Sequence, residues 1–291
     1  MNSATNELFG RSSSLLKVIE EILPTALEHR YRFSTDDSFE KWRRSAEFNI
    51  PQLNVITSLE LIDKAHLSAV TALIRTKAWA DATCAAHTSR NFFSWAASSR
   101  GLIENAGDIV DGLLQIAPTL ASNHRAISAC LTGRMDTKIA IFSEIEKPLD
   151  HFVLAGWLRT KRGEQNPLKA KDNAEYVKVL EPVTPDAPNF YRRLCSICHP
   201  SNASIEFMYD LDALDSGGFK LSRNKDIDEI KKTLREFPDV LAGSLMMSCN
   251  TALLILRVLH KFKYHPKIPY LKTLDWRDVK MWASIESDLA S

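Results

Sequence analysis

Residues 189–202 read NFYRRLCSICHPSN and set arginine, thiol, hydroxyl and imidazole groups within one short segment. Three chemistries compete for them. Cys195, Cys198 and His199 have the spacing of a c-type haem attachment site. That chemistry needs an oxidising compartment. The first ten residues, MNSATNELFG, have neither the basic nor the apolar region of an export signal. A buried cysteine pair on a helix is expected instead. The second chemistry is metal binding. One CxxC and one histidine supply three ligands, whereas a closed zinc site takes four. His199 directly follows Cys198, so a regular helix cannot aim all three at one ion, and Cys84, Cys130 and Cys249 are isolated. No metal and no cofactor is expected. The third chemistry is acid–base work at a phosphate, by an arginine and a histidine. Imidazole titrates near neutral pH, and guanidinium stabilises developing negative charge.

The segment reads as a helix between Pro188 and Pro200, because Pro200 disfavours helical backbone at His199. At helical spacing Phe190, Leu194 and Ile197 form an apolar face, and Arg192, Ser196 and His199 form a polar stripe. Arg193 points away from His199, so within one chain the geometry favours Arg192 as its partner. The structural alternative is a helix end at which His199 caps and both arginines are solvated.

The run from Arg192 or Arg193 to His199 resembles the arginine-x(4–6)-histidine pattern of the HEPN superfamily. The wider wording Tyr191, Leu194, Ser196, His199, Pro200 looks like the corresponding helix of uncharacterised HEPN-like families. Arg100 and Glu104 upstream are similar to the arginine-x-x-x-glutamate helix that often precedes it. The resemblance spans roughly residues 55–265. It departs from the family's ribonucleases at Leu194, where they carry a polar residue after the arginine.

The resemblance implies a metal-independent endoribonuclease in which a ribose 2′-OH attacks the adjacent phosphate. His199 would serve as general acid or base, and Arg192 or Arg193 would stabilise the phosphorane. Arg100, Ser196 and Asn202 would contact substrate. The resemblance also implies homodimerisation or membership of a larger complex, in a toxin or anti-phage defence setting. The alternative is a non-catalytic HEPN-like bundle that binds a protein partner or a nucleotide, or a structural subunit of an assembly.

The elements that must position these residues are helical. Ten glycines in 291 residues suit long helices. An N-terminal helical arm is expected over residues 1–50, with a helix at 6–22 interrupted by Pro24, followed by a bundle domain over 51–291. Apolar periodicity predicts a helix over 55–81, with His66 beside its apolar stripe as an interface histidine. A second helical stretch is expected over 84–116, bent at Gly101, and further helices over 121–134 and 138–158. The basic loop 159–172 reads as a solvated linker, with the steering of RNA as the alternative. Residues 203–209 and 218–221 have strand character around an Asp-Ser-Gly-Gly turn. Asp210, Asp212 and Asp215 match no calcium-loop spacing. A last helix is expected over 226–263, and Trp276 and Trp282 are expected to pack back on the bundle. The fold class is therefore all-α, an up-and-down bundle with a small β-hairpin insert near 203–222.

Composition sets the outer limits. Apolar residues make up 45% and charged residues 25%, which is ordinary for a globular protein able to bury a sizeable core. A net charge of +1 supplies no global field toward nucleic acid, so any RNA contact must be local. Five cysteines and no export signal point to a reducing cytoplasm. Residues 240–256 carry no charge, but Ser244, Ser248, Asn250 and Thr251 suit a helix buried in protein rather than one in a membrane.

Overall fold

The computed structural model describes residues 3–45, 47–154, 168–210, 220–222, 225–263, 265 and 267–290. In chain order its helices are α1 (Ser3–Phe9), α2 (Ser14–Ala26), α3 (Asp36–Arg43), α4 (Ile50–Thr88), α5 (Phe92–Leu113), α6 (Ile116–Ser122) and α7 (His124–Leu131). These are followed by α8 (Ser143–Leu154), α9 (Asn173–Lys178), α10 (Ala187–Cys198), α11 (Ala203–Glu206), α12 (Asp226–Glu236), α13 (Val240–Leu259) and α14 (Trp282–Ala290). Two short strands, β1 (Tyr209–Asp210) and β2 (Lys220–Leu221), pair antiparallel with Tyr209 opposite Leu221. The fold is an all-α helical bundle with this small hairpin.

The chain divides into two compact units. One comprises Met1–Ile19, Ile74–Asp111 and Lys171–Cys249, and the other Glu20–Leu73, Gly112–Ala170 and Asn250–Ser291. Residues 1–50 are thus shared between them. Helices α4 and α13 each give one part to each unit.

In the first unit, Phe9, Phe92, Trp95 and Phe190 are fully buried. Phe190 of α10 lies 6.2 Å from Trp95 and 5.3 Å from Phe237, ring centre to ring centre. Helix α10 forms where the sequence predicts. Phe190, Leu194 and Ile197 are buried, while Arg192 and His199 are exposed. Gly107 on α5 lets the backbone of α9 come close, since a Cβ there would stand 2.3 Å from the Tyr176 carbonyl oxygen.

The second unit is built around Leu61, Ile62, Leu73, Leu120, Leu149 and Phe262. Asn49 caps α4 by accepting a hydrogen bond from the Gln52 N–H at 2.9 Å, with Pro51 in the first turn where no donor is missed. Trp276 and Trp282 lie 5.5 Å apart, and the Arg257 guanidinium stands over both rings at 6.0 and 5.4 Å.

Several expected elements are cut differently. The helix expected over 138–158 begins only at Ser143. Buried Asn54 holds the preceding segment in a non-helical course, donating to the Met135 and Lys138 carbonyls at 2.9 and 2.8 Å and accepting from the Ala140 N–H at 2.9 Å. The stretch expected over 84–116 is two helices that part at Arg90, whose φ of 54° is left-handed. Helix α5 then runs continuously through Gly101. That glycine makes room for Trp79, whose ring would lie 2.7 Å from a Cβ. The helix expected over 226–263 is broken at Pro238 and Asp239, the latter with φ 64°.

Residues 203–206 are a helical turn rather than strand, because the Ile205 and Glu206 N–H groups bond back to the Asn202 carbonyl at 3.0 and 2.8 Å. The turn residues Asp212, Asp215, Gly217 and Gly218 lie outside the described residues, as do Arg159, Lys161 and Arg162 of the basic loop. Pro24 stays inside the last turn of α2 rather than interrupting it. Helix α13 is long and apolar enough to cross a membrane, and 67% of its most apolar window is buried within the protein.

Candidate functional site

Helices α5 and α10 of the first unit bring together four side chains. Pro200 ends α10 as expected. His199 is its C-cap, with extended backbone at φ −96° and ψ 155°, and its N–H still bonds the Cys195 carbonyl at 2.9 Å. The imidazole is thereby fixed at the root and exposed at the tip. Its Nε2 lies 3.3 Å from Nη1 of Arg100. Guanidinium only donates, so Nε2 is the acceptor of this hydrogen bond.

Arg100 is in turn oriented by Glu104 one turn further along α5. Arg100 Nε donates to Glu104 Oε1 at 2.8 Å, and the Tyr191 hydroxyl donates to the same oxygen at 2.8 Å. The Arg100 guanidinium also stands 5.7 Å from the centre of the Tyr191 ring. Burial, reinforced by the Glu104 hydrogen bond, pushes the Tyr191 hydroxyl well above the usual phenol range, so it remains a donor. Arg100 and Glu104 side chains are 25% and 24% exposed, so their ion pair is partly shielded from water. Glu104 and Tyr191 are absent from the candidate site set read from the sequence. The signal for them is the i, i+4 spacing of Arg100 and Glu104, together with the tyrosine in the α10 wording.

The other candidates go elsewhere. Arg192 is exposed and donates to Asn189 one turn back. Arg193 turns toward α12, where its Nη2 stands 4.0 Å from Glu229. There it borders a cleft of about 370 Å³ shared with Glu206, Tyr209, Lys225 and Lys232. The Arg193 Nε is buried with no hydrogen-bond partner among the described residues. The Ser196 hydroxyl is used within the helix, donating to the Arg193 carbonyl at 2.7 Å. Asn202 donates to Glu206 at 3.0 Å. Cys195 and Cys198 are half-buried free thiols, and burial pushes the Cys198 thiol up, which weakens it as a nucleophile.

The arrangement thus offers one guanidinium, held by a carboxylate and a tyrosine, beside one exposed imidazole. A phosphate oxygen entering between them would take the Arg100 N–H and release the Nε2 lone pair of His199. No family model, curated protein or solved structure matches the chain.

Proposed function

We propose that this chain is a HEPN-like metal-independent endoribonuclease whose working pair is Arg100 and His199. The observation that carries the reading is the 3.3 Å approach of Arg100 Nη1 to His199 Nε2 at the exposed end of α10. In this mechanism Arg100 holds a non-bridging phosphate oxygen and stabilises the phosphorane. His199 Nε2 takes the proton of the ribose 2′-OH as that oxygen attacks phosphorus. The 5′-oxygen leaves with a proton from solvent water, and the His199 imidazolium returns its proton to solvent. In this reading Arg192, exposed on the same helix, serves a second copy of the chain. Homodimerisation, an anti-phage or toxin role and a cytoplasmic setting belong to this same proposal.

The second reading is a non-catalytic bundle in which His199 and Pro200 only stop α10. It draws on the cap geometry of His199, whose N–H already closes the last turn.

Cleavage of a mixed RNA pool by His199→Ala, Arg100→Ala, Arg192→Ala and Arg193→Ala proteins separates the two. The ribonuclease reading expects His199→Ala and Arg100→Ala each to lose on the order of 100-fold or more of the cleavage rate. It expects Arg192→Ala to lose activity only where a dimer forms. Full activity in a folded His199→Ala protein rejects it.

A further inference from the structure

The second unit holds another cluster of chemistry-bearing side chains. His29 follows α2, His66 sits on α4, and His265 follows α13. Their ring centres lie 4.8 Å (His29 to His66), 5.3 Å (His29 to His265) and 4.6 Å (His66 to His265) apart. One nitrogen from each ring lies within 4.8 Å of the other two. His66 and His265 are 0% and 4% exposed.

Two of the rings are oriented from behind. His29 Nε2 lies 2.8 Å from Asp63 Oδ1. A carboxylate only accepts, so Nε2 carries the proton and the neutral ring keeps its lone pair on Nδ1. The Tyr31 hydroxyl oxygen lies 2.9 Å from His66 Nδ1. With its proton on Nδ1 and donated to Tyr31, His66 presents the Nε2 lone pair to the cluster. That Nε2 is buried and has no hydrogen-bond partner among the described residues. Buried polar atoms are rarely left so, and a cation would supply the missing partner. A carboxylate behind one ligating histidine and a hydroxyl behind another form the outer shell that fixes tautomer and ring angle in metal sites.

We propose that His29, His66 and His265 bind one divalent transition-metal ion, with zinc the best match. Imidazole nitrogens without thiolate suit zinc and its first-row neighbours rather than calcium or magnesium. Three histidines leave the fourth tetrahedral position to water, the arrangement of sites that keep an open coordination place. The His29 and Asp63 side chains, 15% and 16% exposed, give that position a route to solvent. Zinc–nitrogen bonds of about 2.0–2.1 Å draw the three nitrogens inward. His29, the least buried of the three, has the freedom to follow. The site stands apart from the ribonuclease proposal, since its residues and its readouts are different.

The test uses the full chain, purified without a metal-affinity tag, stripped with chelator and titrated with Zn²⁺ and with Co²⁺. One zinc per chain, a melting temperature that rises with added metal and the visible bands of tetrahedral nitrogen-bound Co²⁺ are expected. His29→Ala and His265→Ala should each weaken binding about 100-fold or more. Asp63→Asn should weaken it about 10- to 100-fold through His29. The Cys195→Ser/Cys198→Ser double variant should bind as the parent does. Should the histidine variants fail to fold, the parent's cobalt spectrum decides: nitrogen-only bands support the site, and thiolate charge-transfer bands reject it. Failure of the parent to bind stoichiometrically overturns the proposal. So does binding that survives in folded His29→Ala protein, or that disappears in the cysteine double variant.

Discussion

His199 and Arg100 hold their places by different means, and that difference predicts how their variants behave. His199 is positioned by its backbone, through the Cys195 carbonyl and the proline that follows, while its ring is exposed. Truncation to alanine removes little packing. We expect His199→Ala to lower stability by about 1 kcal/mol or less. Arg100 is positioned by its side chain, and among the described residues Arg100→Ala leaves Glu104 with Tyr191 as its remaining donor. It should cost more, about 1–3 kcal/mol, because a partly buried carboxylate loses a charge-assisted bond. Thermal unfolding of the two variants checks the ordering, and a larger loss for His199→Ala would mean that its ring is structural.

At this scale the sequence was partly legible. The spacing of Arg100 and Glu104 predicts their pairing, and Pro200 predicts the end of α10. Helical geometry ranks Arg192 over Arg193 as the partner of His199, and the Arg100–Glu104 pair is expected near the same stripe as a phosphate contact. The packing of α5 against α10 sets Arg100 Nη1 3.3 Å from His199 Nε2. The three histidines were less legible still. They come from distant parts of the chain, and His66 beside an apolar stripe looks like any interface histidine.

At the scale of elements, close approach explains what periodicity misses. Gly101 and Gly107 lie on the same helix and look alike in sequence, yet their neighbours differ. A Cβ at Gly107 meets backbone, the Tyr176 carbonyl oxygen at 2.3 Å and its carbon at 2.5 Å. A Cβ at Gly101 meets the ring of Trp79, which is 39% exposed and has room to turn. Gly107→Ala should therefore cost roughly 2–3 kcal/mol as overpacking, and Gly101→Ala about 1 kcal/mol or less. Equal losses in denaturant midpoints would contradict the distinction. Helix existence followed from apolar spacing in α4, α5 and α10, and from the charge order and the uncharged run in α13. Helix ends did not, where a side chain far away in sequence decided them. Asn54 binds three backbone groups of residues 135–140, and no local signal in that segment announces it. At Pro238 the signal was present, and the left-handed Asp239 beside it completes the break.

For the molecule as a whole, a net charge of +1 supplies no general field toward nucleic acid, so the proposed RNA substrate would have to be drawn by a local group. The all-α class was legible from few glycines and long apolar periods. The division into two compact units was not, because each is assembled from three separate segments. The central claim is that the Arg100–His199 pair cleaves RNA through the ribose 2′-OH without a metal. It is tested most directly by incubating the purified chain with RNA in excess chelator and identifying the new ends. The account predicts fragments ending in 2′,3′-cyclic phosphate, and no cutting at positions where the attacking ribose is replaced by deoxyribose. Cleavage that stops in chelator while the chain stays folded, or that proceeds equally at deoxyribose positions, would contradict it.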